Sequence, residues 1–156
     1  MRVSPPPFQR FLDRHRDDVW RYLVAAVGRQ AADDCFQETF LAALRAYPRL
    51  RPASDLRAWV LTIAHRKALD HHRARARAPV PVGGAPDAGA WHDAEPDGEV
   101  WTRVADLPSR QRAALLLRYA GDLSHAQVAA ALGCSEEAAR RSAHEGLKRL
   151  REELAA

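Results

Sequence analysis

The sequence predicts an all-α fold: two small helical domains joined by a flexible linker, with a helix-turn-helix in the C-terminal domain. Three observations carry this. Apolar residues recur at spacings of three and four along most of the 156-residue chain. The stretch from Leu107 to Leu154 is punctuated by Gly121 and Gly133 into three helices. Between the helical halves, residues 78–98 hold Pro79, Pro81, Pro86 and Pro96 with Gly83, Gly84, Gly89 and Gly98, a composition that packs no core. The boundaries are thus residues 1–77, a linker over 78–98, and residues 99–156.

After Pro5–Pro7, the apolar face Phe8, Phe11, Leu12, His15, Val19, Tyr22, Leu23 and Ala26 predicts an amphipathic helix stopped near Gly28. A second helix is expected from about Ala31 to Tyr47. Its apolar side includes Cys35, Phe36, Thr39, Phe40, Ala43 and Leu44, and Pro48 ends it. Asp33, Asp34, Gln37 and Glu38 occupy the other side of its first turns. Acids there suit the helix dipole, and such a set also makes a docking surface. Ser54 or Asp55 caps a third helix with Leu56, Trp59, Val60, Ile63 and Ala64. From His65 to Arg77 it is expected to leave the core as a basic arm bearing Arg66, Lys67, Arg73, Arg75 and Arg77. A helix that is apolar at one end and basic along the other fits a nucleic-acid backbone.

Helical patterning resumes near Glu99, with Val100, Trp101, Val104 and Leu107 facing the C-terminal bundle. Ser109 is expected to cap the next helix, and Gly121 to end it through a permissive backbone. Ser124 and Gln127 form a Ser-x-x-Gln capping box. Gly133 breaks that helix, and Ser135 caps a longer one with Ala139, Ala143, Leu147, Leu150 and Leu154 along one side. Two helices joined by a Gly-containing turn, with Arg140, Arg141 and His144 on the second, suit a DNA major groove. Glu136, Glu137 and Glu145 on the same helix oppose phosphate contact.

Charge is distributed in blocks. Residues 1–77 carry a net of +7, residues 78–102 a net of −5 and residues 103–156 a net of +2. Two basic blocks flanking an acidic connector permit a polyanionic partner. Cys35 and Cys134 stand far apart without zinc-ligand spacing, as expected of idle thiols in a reducing compartment. His65 and His72 are seven residues apart, about 10 Å along a helix, too far to share a small cation. Accordingly no metal and no cofactor are expected. Neither a Gly-rich phosphate loop nor a nucleophile elbow is present, so no catalytic residues are assigned. No apolar run approaches ~20 residues and no signal-peptide core opens the chain, which predicts a cytoplasmic protein without membrane insertion.

Three segments resemble one family. Ala32 to Phe40 (ADDCFQETF) is similar to the acidic "AEDLVQETF" helix of bacterial sigma factors. Arg57 to Ala64 followed by Ala68 to Arg73 resembles the "aWLyrIArNraiDhlR" segment of the same family. Leu107 to Tyr119 with Leu123 to Ser135 resembles its C-terminal DNA-binding region. The order and spacing fit nearly the whole chain, and the absence of the extra regions of housekeeping members points to the small extracytoplasmic-function (ECF) class.

The resemblance implies an RNA polymerase sigma factor that directs core polymerase to specific promoters, has no catalytic activity of its own, and is controlled by an anti-sigma factor. Asp33, Asp34, Gln37 and Glu38 would bind the clamp helices of polymerase. Arg57, Arg66, Lys67, Asp70 and Arg73 would surround the melted minus-ten strand. The C-terminal domain would pack on the polymerase flap, with Ser135, Arg140, Arg141, His144 and Lys148 toward the minus-thirty-five duplex. The acidic linker would thread toward the active-site cleft. Departures from the family pattern lie at Arg66, where Asn is usual, and at Ser142, Glu145 and Gly146 in the recognition helix. Two missing cations flatten the salt dependence by roughly two phosphate contacts. A degenerate recognition helix leaves one alternative, a sigma-like interaction protein that occupies polymerase or a regulator.

Overall fold

A computed structural model describes residues 4–51, 55–77 and 98–156. Seven α-helices run in the order α1 (Phe8–Val27), α2 (Arg29–Ala46), α3 (Leu56–Arg77), α4 (Gly98–Ala105), α5 (Ser109–Leu115), α6 (His125–Leu132) and α7 (Glu136–Ala155). No strand occurs among the described residues. The first three helices pack on one another, and α5, α6 and α7 form a second cluster. Residues 78–97 of the expected linker lie outside the described residues, as does Ser54, while Gly98 opens α4.

Pro7 occupies the N-cap position of α1, where its missing N–H costs nothing. The helix buries Phe11, His15, Val19, Tyr22, Leu23 and Ala26, the side that the periodicity assigns to the core. A single residue joins α1 to α2. Gly28 sits at φ 81°, donates to the Val24 carbonyl and accepts from Ala32 N, so one glycine closes one helix and opens the next. Pro48 does not stop the chain at once, because Tyr47–Arg49 form a short 3₁₀ turn. Asp55 is the cap of α3, its Oδ1 accepting from Ala58 N at 3.1 Å.

The third helix does not leave the core at His65. Val60, Leu61, Ala64, His65 and Ala68 are all buried, and only the last turns are fully exposed. His65 Nδ1 lies 3.2 Å from the Tyr22 hydroxyl, and His72 Nε2 lies 2.8 Å from the Ala26 carbonyl oxygen. Both histidines thus tie α3 to α1, beyond the apolar stripe that the sequence displays. Burial, helped by Arg66, pushes His65 down to about 4, so at neutral pH it is uncharged and able to accept the Tyr22 proton.

This has a signed consequence for stability. The unfolded chain takes up the His65 proton near pH 6.5 and the folded chain only near 4. Stability is full above the unfolded value and falls as the solution is acidified through this window. Burial also depresses His15, His71 and His72, in the same direction. Between pH 7 and pH 5 His65 alone should remove about 2 kcal/mol. Urea unfolding of the wild type and of His65→Gln, which keeps an acceptor for Tyr22, checks this. Equal pH slopes for the two proteins would exclude His65 as the source.

In the second cluster Ser109 is the first residue of α5, and Pro108 holds the N-cap position without a side-chain cap. Gly121 ends the following π-helical segment, Leu116–Ala120, at φ −85°, so a left-handed backbone is not its purpose. It donates to the Leu116 carbonyl at 2.9 Å, and a Cβ there would stand 2.7 Å from the Leu117 carbonyl oxygen. Crowding, not φ, selects glycine. The positive φ falls on the next residue, Asp122, at 51°.

Ser124 and Gln127 form the complete capping box at the head of α6, with bonds of 3.1 and 2.8 Å. Gly133 takes φ 67° at its end, and Ser135 Oγ accepts from Ala138 N at 3.1 Å to begin α7. Gly146 is buried against α5, where an added Cβ would meet Leu115 Cδ1 at 3.0 Å and Gln111 Cβ at 3.2 Å. The helix cost of glycine, about 1 kcal/mol, is offset here by close packing of α5 on α7.

Candidate nucleic-acid and polymerase interfaces

Asp33, Asp34, Gln37 and Glu38 are all exposed on α2, while Ala32, Cys35, Thr39 and Phe40 between them are buried. Thr39 Oγ1 satisfies itself on the Cys35 carbonyl at 2.6 Å. Beyond the acids the same outer face continues with Leu41 and Leu44, 52% and 49% exposed. The sequence pattern counted Leu44 as core. It fails because an apolar side wider than the buried stripe reads the same at a docking surface. The face therefore pairs an acidic N-terminal half with an apolar C-terminal half. Cys35 beneath it has its thiol pushed up to about 11 by burial and by Glu38 and Asp34, and is a packing residue.

On α3, Arg66, Asp70 and Arg73 are exposed and recur at spacings of four and three, forming one outward stripe that Arg77 extends. Lys67 is half-buried beside them. Arg57 is not part of this group. It stands nine residues before Arg66, a rotation of about 180° at 3.6 residues per turn, and so on the opposite side of the helix. There its Nε meets Asp18 Oδ2 at 3.2 Å, its Nη1 meets the Asp122 carbonyl at 3.1 Å, and its Nη2 donates to the Gly121 carbonyl. Arg57 and the pair Arg66 and Arg73, all expected around the melted strand, thus lie on different sides of α3.

Helix α7 buries Ala139, Ala143, Gly146 and Leu150, and presents Arg140, Arg141, His144 and Lys148 to solvent. Ser135, also exposed, serves as the N-cap. Ser142, where the family pattern has Arg, is half-buried. Glu136 lies 3.2 Å from Arg140 and Glu137 3.8 Å from Arg141, one helical turn apart. These acids thus pre-orient the arginines. Both pairs are exposed and worth only a few tenths of a kcal/mol, so a phosphate or base edge readily displaces them. Glu145 is exposed on the same helix and remains adverse to phosphate. No cluster of metal-ligating side chains is found among the described residues.

A three-helix platform with an exposed acidic face, followed by a helix-turn-helix with an exposed basic helix, defines a two-part transcription factor. Residues 11–78 match the family model Sigma-70 region 2, and residues 97–150 match Sigma-70, region 4. The ECF RNA polymerase sigma factor SigC of Mycobacterium tuberculosis is 39% identical over 132 residues, covering 81% of this chain and 71% of its own. SigD of the same species is 35% identical over 161 residues, covering 93% and 76%. A solved structure of the sigma factor RpoE of Bartonella quintana, in complex with the anti-sigma factor NepR, superposes with a TM-score of 0.78. At 21% identity over 96% of this chain and 97% of that one, it shows a shared fold. The chain belongs to the sigma-70 family, within its ECF class, and is an RNA polymerase sigma factor. None of its described helices is long and apolar enough to cross a membrane.

Proposed function

We propose that the two halves divide the work of promoter-directed initiation in the cytoplasm, without catalysis by the chain itself. Residues 1–77 form the unit that binds the polymerase clamp helices through Asp33, Asp34, Gln37 and Glu38, extended by Leu41 and Leu44. The stripe of Arg66, Asp70 and Arg73, with Lys67, faces the melted minus-ten strand, its cations against the phosphates. Residues 99–156 sit on the flap and read the minus-thirty-five duplex through Arg140, Arg141, His144 and Lys148, with Ser135 at the helix start. The linker over 78–98 lies in the cleft between them, and an anti-sigma factor competes for the polymerase-facing surfaces.

The observation that carries this reading is the exposure of both faces in one chain, each backed by a buried stripe that leaves it no structural task. The solvent exposure of the α7 cations, whose surface ion pairs are weak, also weighs against a degenerate recognition helix. Run-off transcription with core polymerase, on promoters selected by the reconstituted holoenzyme, tests it. Arg140→Ala should cost about 1–3 kcal/mol on a promoter with its upstream element intact, as for a bidentate arginine on guanine. On a scrambled upstream element the same variant should cost almost nothing. Equal losses on both would reduce Arg140 to a phosphate contact, and polymerase binding without initiation would remove the promoter-reading function.

A further inference from the structure

A pocket of about 730 Å³ lies between the first half of α1 and the head of α3. Arg10, Arg14 and His15 line it from α1, and Asp55 and Arg57 from the α3 side. Its acids are already engaged. Asp18, also in the wall, lies 2.7 Å from Arg21 and 3.2 Å from Arg57. Asp55 accepts from Ala58 N and, at 2.6 Å, from Gln127 Nε2. Arg57 donates in addition to the Gly121 and Asp122 carbonyls. Arg10 and Arg14, by contrast, are exposed one helical turn apart, and neither guanidinium hydrogen-bonds or ion-pairs with a described residue. Beside them His15 is only 7% exposed, and its Nδ1 is buried without a hydrogen-bond partner among the described residues. An unsatisfied buried nitrogen is rare in a folded protein. Burial, and next Arg14, disfavour a charge on the ring, so the pocket offers a neutral imidazole.

We propose that this pocket binds a small phosphate monoester of nucleotide size. Two guanidiniums at i and i+4 present a row of donors to phosphoryl oxygens, and arginine suits that bidentate geometry. A monoester carries nearly two negative charges at neutral pH and so balances both cations, whereas a backbone diester carries one. His15 Nδ1 supplies a further donor in the tautomer that protonates it. Pro6 and Leu56 line the same pocket and give the organic body an apolar wall. Its size falls within the roughly 300–1,000 Å³ of small-molecule sites. The site is separate from the expected strand surface, because Arg57 lies on the opposite side of α3 from Arg66 and Arg73.

Titration of the full-length chain with AMP, followed by calorimetry and by the histidine ring-nitrogen resonances, tests the site. AMP should bind saturably with a Kd below about 1 mM and shift the His15 nitrogens. Adenosine, which lacks the phosphoryl group, should do neither. Arg10→Ala combined with Arg14→Ala should weaken AMP binding by about tenfold or more, with helical circular dichroism unchanged because both side chains are exposed. Arg16→Ala combined with Arg151→Ala removes the same charge from exposed positions outside the pocket, and should keep the affinity within about threefold.

No saturable AMP binding in that range overturns the proposal, as does adenosine binding equal to that of AMP. A loss in the Arg10 and Arg14 variant no larger than in the control overturns it too. A single-stranded oligonucleotide without terminal phosphates tests the other source of phosphoryl oxygens. It should leave AMP in place at equal phosphate concentration. Displacement would assign the pocket to the nucleic-acid backbone, and the free monoester would fall.

Discussion

Replacing Phe11 by alanine should remove about 3–5 kcal/mol of folding stability, a large share of what a domain of this size possesses. Phe11 is 1% exposed and lies where all three N-terminal helices meet. Its ring centroid is 5.6 Å from Phe8, 5.3 Å from His15, 6.2 Å from Phe40, 5.3 Å from Tyr47 and 5.6 Å from Trp59. These rings come from α1, from the end of α2 with its 3₁₀ turn, and from α3. No single neighbour can move into the vacated space without leaving another ring unpacked, so the cavity term adds to the transfer term. Tyr47 is further restrained because its hydroxyl donates to the Pro6 carbonyl. Urea unfolding with an unchanged m-value measures the loss, and Leu154→Ala, at a position 45% exposed, should cost under about 0.5 kcal/mol. A Phe11→Ala cost below about 1 kcal/mol would mean that the aromatic cluster collapses around the gap, contrary to the packing described.

Helix periodicity and capping chemistry made most of this fold legible. The Ser124–Gln127 box, the Ser135 cap and the left-handed Gly133 are local signals, and the structure places each as the residue types dictate. Gly28 is a local signal too. What the pattern missed depends on partners remote in sequence. His65 and His72 read as part of a basic arm because charge and polarity are visible along a chain, whereas Tyr22 and the Ala26 carbonyl, over forty residues away, are not. Gly146 reads as a helix-weakening residue until the Leu115 side chain of α5 is seen against it.

The interfaces divide in the same way. The exposure of Asp33, Asp34, Gln37 and Glu38, and of Arg140, Arg141, His144 and Lys148, follows from helical phase alone. Phase also separates Arg57 from Arg66, and counting nine residues at about 100° each would have shown it. Where Arg57 goes instead, onto two carbonyls of the other half, is set by tertiary contact and has no signature in the chain. Leu41 and Leu44 were ambiguous for another reason, since the residue type that fills a core also fills a partner's groove.

Reversing charge at Asp34 and Glu38 together should weaken binding to core polymerase by roughly 3 kcal/mol, over a hundredfold in Kd, under the clamp-docking function proposed above. Both side chains are exposed on the outer face of α2, with Leu41 one and two turns further along. A partner that complements this face presents cations to the acidic turns and apolar surface to the leucines. Lysines at 34 and 38 would then set like charges against each other across a partly desolvated contact, where repulsion is least screened. Folding should be nearly untouched, because neither carboxylate reaches into the core that Cys35, Thr39 and Phe40 occupy. Glu145→Lys with Glu152→Lys changes the net charge by the same amount on α7, and so separates a local clash from a general electrostatic effect. Equilibrium titration of labelled protein with core polymerase, at two salt concentrations, decides the matter. The α2 variant should bind weakly and lose its favourable salt dependence, while the α7 control, whose substitutions lie off the face assigned to the clamp, should lose far less affinity. A folded α2 variant of unchanged affinity would show that polymerase is held by some other surface, and Leu41 and Leu44 would lose their assigned partner with it.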